Sequence, residues 1–279
     1  MERNIIYNED CIAGMSRLPD ASVDMILTDL PYGMTGCRWD SLIPFEALWK
    51  QFLRIAKDNA AIVLTAAQPF TARLISSQLK LFRYCWYWSK NMVTGFASAK
   101  RQPLRCVEEV CVFYRKAPVY NPQGIIHLDK PRLQRGKGIP AHGQSVYRTD
   151  GSLSHDTYQT VCNYPRQLLQ IKCERGLHPT QKPVALMEYM VRTYTNPGAL
   201  VLDACMGSGT TAVACINSGR DYVGFELDSE MCAVAQARAA ACERGEDPNG
   251  GAQILRLVWA HTSKGLQLRQ TSSPQKRTV

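Results

Sequence analysis

The sequence predicts an α/β fold: a mostly parallel sheet with helices packed on both faces. Three observations carry this. Strand-like apolar runs alternate with helical periodicity over residues 4–78; the alternation resumes after residue 183; and a hydrophobic strand there runs straight into a glycine-rich turn that opens a helix. At 279 residues the chain can bury one substantial core, with room for an appended lobe.

Asn4–Asn8 reads as a short strand, followed by a helix over Ile12–Leu18. Val23–Thr28 is a continuous apolar run, the mark of a strand covered on both faces, and it stops at Asp29-Leu30-Pro31-Tyr32. Phe45–Ile55 repeats its apolar residues at helical spacing, Ala60–Thr65 is strand-like, and Thr71–Gln78 is helical again. Two aromatic, β-rich runs follow, Phe82–Trp88 and Cys106–Tyr114. From Tyr120 to Arg175 neither periodicity holds, but interleaved Tyr, His and Arg favour a loop-rich lobe over a disordered linker. The α/β pattern then returns as a helix over Pro183–Thr193, a strand at Leu200–Leu202 and a helix over Thr210–Ser218. It closes with a strand at Tyr222–Phe225 and an Ala-rich helix over Ser229–Arg244. Gly245 begins a breaking stretch, and the closing residues read as a frayed tail. The domain reading is 1–116 and 177–244 for two halves of one α/β domain, 117–176 for the lobe, and 245–279 for a partly disordered extension.

Charge is unevenly placed. Residues 1–71 carry 6 Lys/Arg against 9 Asp/Glu, residues 72–182 carry 18 against 6, and residues 183–279 carry 9 against 9. The whole excess of +9 therefore sits in the middle third, as expected for a protein whose partner is a polyanion. A solvated basic surface is the plainer alternative. The 11 cysteines include no C-x-x-C pair, so reduced thiols are expected and no metal site; Cys106 and Cys111 both fall in a strand. With no apolar run near ~20 residues and no signal-peptide pattern, a cytoplasmic protein is expected.

Two constellations carry chemistry. In the first, Val201-Leu202-Asp203 leads into Ala204-Cys205-Met206-Gly207-Ser208-Gly209-Thr210-Thr211, and the next strand ends at Gly224-Phe225-Glu226-Leu227. Glycines let a ligand approach the backbone at the strand's carboxyl end, and an acid about 20 residues on suits the two hydroxyls of a ribose. No Lys precedes Ser/Thr in this turn, which disfavours a nucleoside triphosphate. A dinucleotide, or a purely structural turn, remains open. In the second, Asp29-Leu30-Pro31-Tyr32 ends a buried strand. A carboxylate, a backbone carbonyl and an aromatic face there can orient an exocyclic amino group, though a simple strand-ending turn has the same composition.

Together these segments resemble the DNA amino-methyltransferases. Asp29-Leu30-Pro31-Tyr32 is similar to their D-P-P-Y catalytic motif, in the D-L-P-Y form associated with phage-type members. Asp203–Thr211 is similar to their cofactor motif, with Ala204-Cys205 where Pro-Phe is usual, and His178-Pro179-Thr180-Gln181-Lys182-Pro183 matches the motif preceding it. This order of motifs is that of the β class.

The resemblance implies a Rossmann-like, mostly parallel seven-stranded sheet with a target-recognition insertion, and S-adenosyl-L-methionine as cofactor. In that scheme Asp10 and Cys11 meet the adenine and Glu226 with Leu227 the ribose. Thr180 and Lys182 hold the methionine carboxylate, while Asp203, Ala204, Cys205, Gly207, Ser208, Gly209 and Thr210 form the floor. Asp29, Leu30, Pro31 and Tyr32 act on a base flipped from double-stranded DNA, Tyr32 by stacking. Lys100, Arg101, Arg105, Arg132, Arg135, Lys137, Arg148 and Arg166 are the expected DNA contacts. In the family a leading Asp accompanies adenine N6 and a leading Ser cytosine N4, so Asp29 favours adenine. A homodimer and a cognate restriction endonuclease are the protein partners such enzymes bring to mind, in a bacterial or phage-infected cell. RNA or protein-amide methylation, a DNA-binding module without catalysis, and a nucleotide-dependent oxidoreductase are the competing readings.

Overall fold

The structure is a computed structural model that describes residues 2–37, 40–135, 156–174 and 180–248. The described chain up to Asn121 and from Gln167 onward forms one compact unit, and Pro122–Arg166 forms a second.

The first unit is built on an eight-stranded sheet. In chain order its elements are β1 (Ile5–Asn8), α1 (Cys11–Ser16), β2 (Val23–Asp29), α2 (Phe45–Ile55), β3 (Ala56–Ala66), α3 (Phe70–Ser77), β4 (Phe82–Thr94) and β5 (Arg105–Phe113). In the second unit lie β6 (Ile126–Gln134) and β7 (Thr157–Cys162), an antiparallel pair. The first unit resumes with β8 (Leu168–Gln170), α4 (Val184–Tyr194), β9 (Leu200–Asp203), α5 (Thr210–Ser218), β10 (Asp221–Glu226) and α6 (Ser229–Glu243). The sheet order is β1-β10-β9-β2-β3-β5-β4-β8. Strands β1, β10, β9, β2 and β3 pair in parallel; β5 is antiparallel to both β3 and β4, and β8 is parallel to β4.

The strands expected to be doubly covered are so because their residues feed two cores by turns. Ile26, Ile62, Leu64, Leu200 and Leu202 pack with Met15, Leu48, Phe52 and Leu74 of α1–α3. Met25, Leu27, Ala61, Val63 and Val201 pack on the other face with Leu186, Met190, Ala214 and Ala235 of α4–α6. This alternation of period two, with helices on both sides, is what an α/β sheet requires.

Two expectations are corrected. Among the described residues the sheet has eight strands, not seven, because Leu168–Gln170 adds an edge strand beside Tyr87–Ser89, too short to show periodicity in the sequence. The second compact unit runs from Pro122 to Arg166, within the stretch 117–176 read from composition as the lobe. The strand expected at 60–65 also begins earlier, at Ala56, directly after α2. The extension beyond Pro248 lies outside the described residues.

Candidate active site

Strands β2 and β9, from distant parts of the sequence, are neighbours, and their carboxyl ends are tied together by one hydroxyl. Thr28 is fully buried; its Oγ1 donates to Asp203 Oδ1 and accepts from the backbone N–H groups of Ala204 at 2.9 Å and Cys205 at 3.2 Å. Asp203 is buried too, and takes further bonds from Thr211 Oγ1 at 2.5 Å and Cys205 N at 3.0 Å. Its carboxylate thus serves as the internal clamp of the glycine-rich turn.

Burial pushes the Asp203 carboxyl up to about 6, against the pull of its hydrogen bonds from Thr211 and Thr28. Its folded value exceeds the ordinary carboxylate value of 3.8, so the group favours the folded state more strongly as pH falls from above 6 towards 3.8. The melting temperature of wild type relative to Asp203→Asn is therefore expected to rise as pH is lowered from 7 to 4. Thermal melts across that range check it, and a pH-independent difference would refute the assignment.

Beyond the clamp, Met206 N donates to Phe225 O at 2.8 Å and Gly207 N to Glu226 Oε2 at 2.7 Å. Gly209, at φ +83°, caps α5, and a Cβ there would stand 3.0 Å from Ala235 Cα, so glycine lets α6 close on the turn. Arg238, wholly buried on α6, donates to Ser208 O at 3.2 Å and Thr210 Oγ1 at 3.0 Å. A single Arg in an Ala-rich helix gives no sequence signal of this role.

Asp29 ends β2. Its Oδ1 accepts from Tyr32 Oη at 2.9 Å and from Thr65 Oγ1; its Oδ2 accepts from Lys182 Nζ at 2.8 Å. Lys182 also lies 3.4 Å from Glu108 Oε2, and Glu108 Oε1 accepts from Lys90 Nζ at 2.8 Å. Four charges of alternating sign, Lys90–Glu108–Lys182–Asp29, thus run from β4 through β5 to β2, and the Lys182 side chain is only 6% exposed. Burial opposes its charge, but Asp29 and Glu108 outweigh that and hold the ammonium well above the ordinary lysine range. Glu108 and Lys90 were not singled out from sequence, because a charged pair in a β-rich run reads as an exposed face.

Two of the expected residues are held by protein contacts. Tyr32 turns its hydroxyl to Asp29 and stacks its ring on Phe70 at 4.9 Å between centroids; burial, then Asp29, raises its phenol well above the ordinary range. Lys182, which lines the cavity, bonds Asp29. The loop after Tyr32 is held by Asp40, which accepts from the N–H groups of Gly33 and Met34, both at 2.8 Å, and Thr35, at 2.6 Å. Burial works against the Asp40 carboxylate, but these bonds hold it below the ordinary value.

These strand ends enclose a cavity of about 520 Å³. Of the expected cofactor residues, Asp10, Cys11, Thr180, Lys182, Asp203, Ala204, Cys205, Gly207, Ser208, Thr210, Glu226 and Leu227 line it; Gly209 does not, and packs against Ala235. Asp29, Leu30 and Pro31 line it as well. Apolar Ile43, Met187 and Met231, and the polar Gln181, complete walls that sequence reasoning did not assign. Asp10 also caps α1, accepting from Ala13 N at 2.9 Å. Among the expected DNA contacts, Lys100, Arg101 and Arg105 are exposed on the β4–β5 connection, and Arg132, Arg135 and Arg166 are exposed in the second unit. Lys137, Arg148, His178 and Pro179 lie outside the described residues. Cys106 is exposed, whereas Cys111 is buried against Cys85 at 3.6 Å between sulfurs.

A family model described as DNA methylase, the N6/N4 methyltransferase family, matches residues 23–237. The chain belongs to that family. YhdJ, a DNA adenine methyltransferase of Escherichia coli (strain K12), is 30% identical to this methylase over 256 residues, covering 82% of this chain and 80% of its own. YubD, a methylase candidate from the same organism, is 45% identical over 239 residues, covering 84% and 89%. Among solved structures, the M1.HpyAVI–SAM complex superposes with a TM-score of 0.57 at 23% identity, covering 84% of this chain and 98% of that one. The PvuII cytosine-N4 DNA methyltransferase does so with 0.63 at 16% identity, covering 92% and 93%. At such identities the two structures speak for the fold.

Proposed function

We propose that this methylase transfers a methyl group from S-adenosyl-L-methionine to the N6 amino group of adenine in DNA, after the base has been flipped out of the duplex. One observation carries the reading: the Asp29 carboxylate, held by three donors, opens on a cavity that it shares with the glycine-rich turn and Glu226. Glu226 at the end of β10 and Asp29 at the end of β2 are separated by one intervening strand, β9, hence by about 10 Å at ~4.8 Å per strand. A ribose at the first and a methyl donor facing the second fit that span. The cavity is also of the size that encloses a nucleoside-sized ligand.

Bound there, the cofactor supplies an electrophilic methyl group on a sulfonium. Glu226 takes the ribose hydroxyls, Asp10 and Cys11 border the adenine, and Thr180 and Gln181 face the amino-acid end. M1.HpyAVI was solved as a SAM complex, which supports this choice of cofactor. Asp29 and the Leu30 carbonyl accept the hydrogens of the target amino group and expose its nitrogen lone pair towards the methyl. The Lys182 ammonium, bonded to Asp29 Oδ2, fixes the orientation of that carboxylate at the mouth of the site. Catalysis then rests on positioning and preorganised charge, with no cysteine nucleophile.

Arg132, Arg135 and Arg166 of the second unit, with Lys100, Arg101 and Arg105, are the proposed contacts to phosphates and base edges. Adenine is favoured by Asp29 at the head of the tetrapeptide, and YhdJ's name agrees. Mass spectrometry of nucleosides from DNA methylated by the purified protein tests the choice: N6-methyl-2′-deoxyadenosine is expected, and N4-methyl-2′-deoxycytidine would move the reading to the PvuII type.

A further inference from the structure

The β4–β5 hairpin carries a feature that phosphate contacts do not explain. Asp29 is level with Thr65 of β3, Thr65 with Val110 of β5, and Val110 with Trp86 of β4. Strand β4 runs parallel to β2, so the hairpin tip lies past the carboxyl ends of the parallel strands, on the edge where Asp29 opens. From Val110 back to Arg105, β5 extends five residues, about 16 Å at ~3.3 Å each.

At the tip Gly95 turns the chain at φ +93°, and Phe96 follows on a 3-10 turn with 67% of its surface exposed. Leu79 is as exposed, but it precedes β4 and so lies at the opposite edge of the sheet. Between Ser89 and Val107 the chain has four basic residues, Lys90, Lys100, Arg101 and Arg105, and no acid. The last three are exposed, with no ion-pair partner among the described residues. An aromatic ring set in unpaired positive charge fits a surface that is anionic outside and apolar inside, which is what a duplex with one nucleotide extruded presents.

We propose that this tip enters the duplex beside the target and that Phe96 occupies the stacking position the flipped base vacates, while Lys100, Arg101 and Arg105 grip the flanking phosphates. The inference rests on the base-flipping reading above. A major groove ~8.5 Å deep is within the reach of the hairpin, and apolar side chains are known to wedge between base steps. Filling the gap offsets the unstacking of the target, a cost that falls when the target has no partner base.

The test uses the whole protein, after its methylated site has been mapped by sequencing. Two duplexes are compared, with the target base either paired or opposite an abasic position. Phe96→Ala is expected to lower kcat/KM about tenfold or more on the paired duplex and less than about twofold on the abasic one, with Phe96→Trp close to wild type on both. Equal losses on the two duplexes, or no loss on the paired one, overturn the wedge. So does a fall in oligomeric mass with Phe96→Ala, which makes the partner a second copy of the chain. A wild-type protein that methylates neither duplex overturns the activity itself, and the wedge with it.

Discussion

Replacing Asp29 with alanine is expected to lower methyl transfer by ~10³-fold or more while cofactor binding survives. The magnitude is that of removing a preorganised group aimed at the reacting atoms. Asp29 shares the cavity with the glycine-rich turn, but the turn is held by Thr28, Asp203 and Thr211, whose hydrogen bonds do not involve Asp29. Asp29→Asn keeps the shape but replaces one accepting oxygen with a donor and removes the charge paired with Lys182, so it is expected to lose nearly as much. Transfer measured with a labelled methyl group, beside equilibrium binding of labelled cofactor, separates the two effects. Near-normal methylation by Asp29→Ala would remove the acceptor from the mechanism.

Lys182→Met is expected to be damaging in both stability and turnover. It leaves Asp29 and Glu108 facing one another across a site from which their shared cation has gone. Breaking a buried pair by removing one partner costs about 3–5 kcal/mol, or a fall in melting temperature of roughly 10 °C for a chain of this size. The sign of the pH dependence follows from the raised ammonium. Its contribution is fully present below the ordinary lysine value of 10.5 and is lost only as pH climbs through its higher folded value. The difference between wild type and Lys182→Met should therefore stay flat from pH 6 to 9 in thermal melts. A difference that vanishes across neutral pH would contradict the ion-pair account. If Lys182 instead served only a cofactor carboxylate, the variant would weaken cofactor binding and leave the melting temperature nearly unchanged.

The parts of the fold and site legible in the sequence are those with local signals. The alternation of Met25–Leu27 and Ala61–Leu64 between two cores is visible as apolar runs. The turn at Asp203–Thr211 shows its glycines, and Asp29–Tyr32 stands out as a polar break at a strand's end. The illegible parts are made by tertiary contacts between separate elements. Glu108 and Lys90 become site residues only because β5 and β4 are laid beside β3. Asp40 gathers three amides from a loop it does not adjoin in any recognised motif, and Arg238 reaches the turn from a helix 28 residues on from Thr210. Tyr32 illustrates the limit at an expected residue: its type is legible, but its stacking contact with Phe70, 38 residues on, is not. The eighth strand was hidden for a different reason, being three residues whose pairing comes wholly from its neighbour.

A crystal structure with sinefungin, the unreactive amine analogue of the cofactor, tests the shared cleft most directly. The account predicts the adenine beside Asp10 and Cys11, the ribose hydroxyls on Glu226, and the amine that stands in the place of the transferable methyl turned towards Asp29. An analogue seated away from Glu226, or with its amine on the side remote from Asp29, would contradict it.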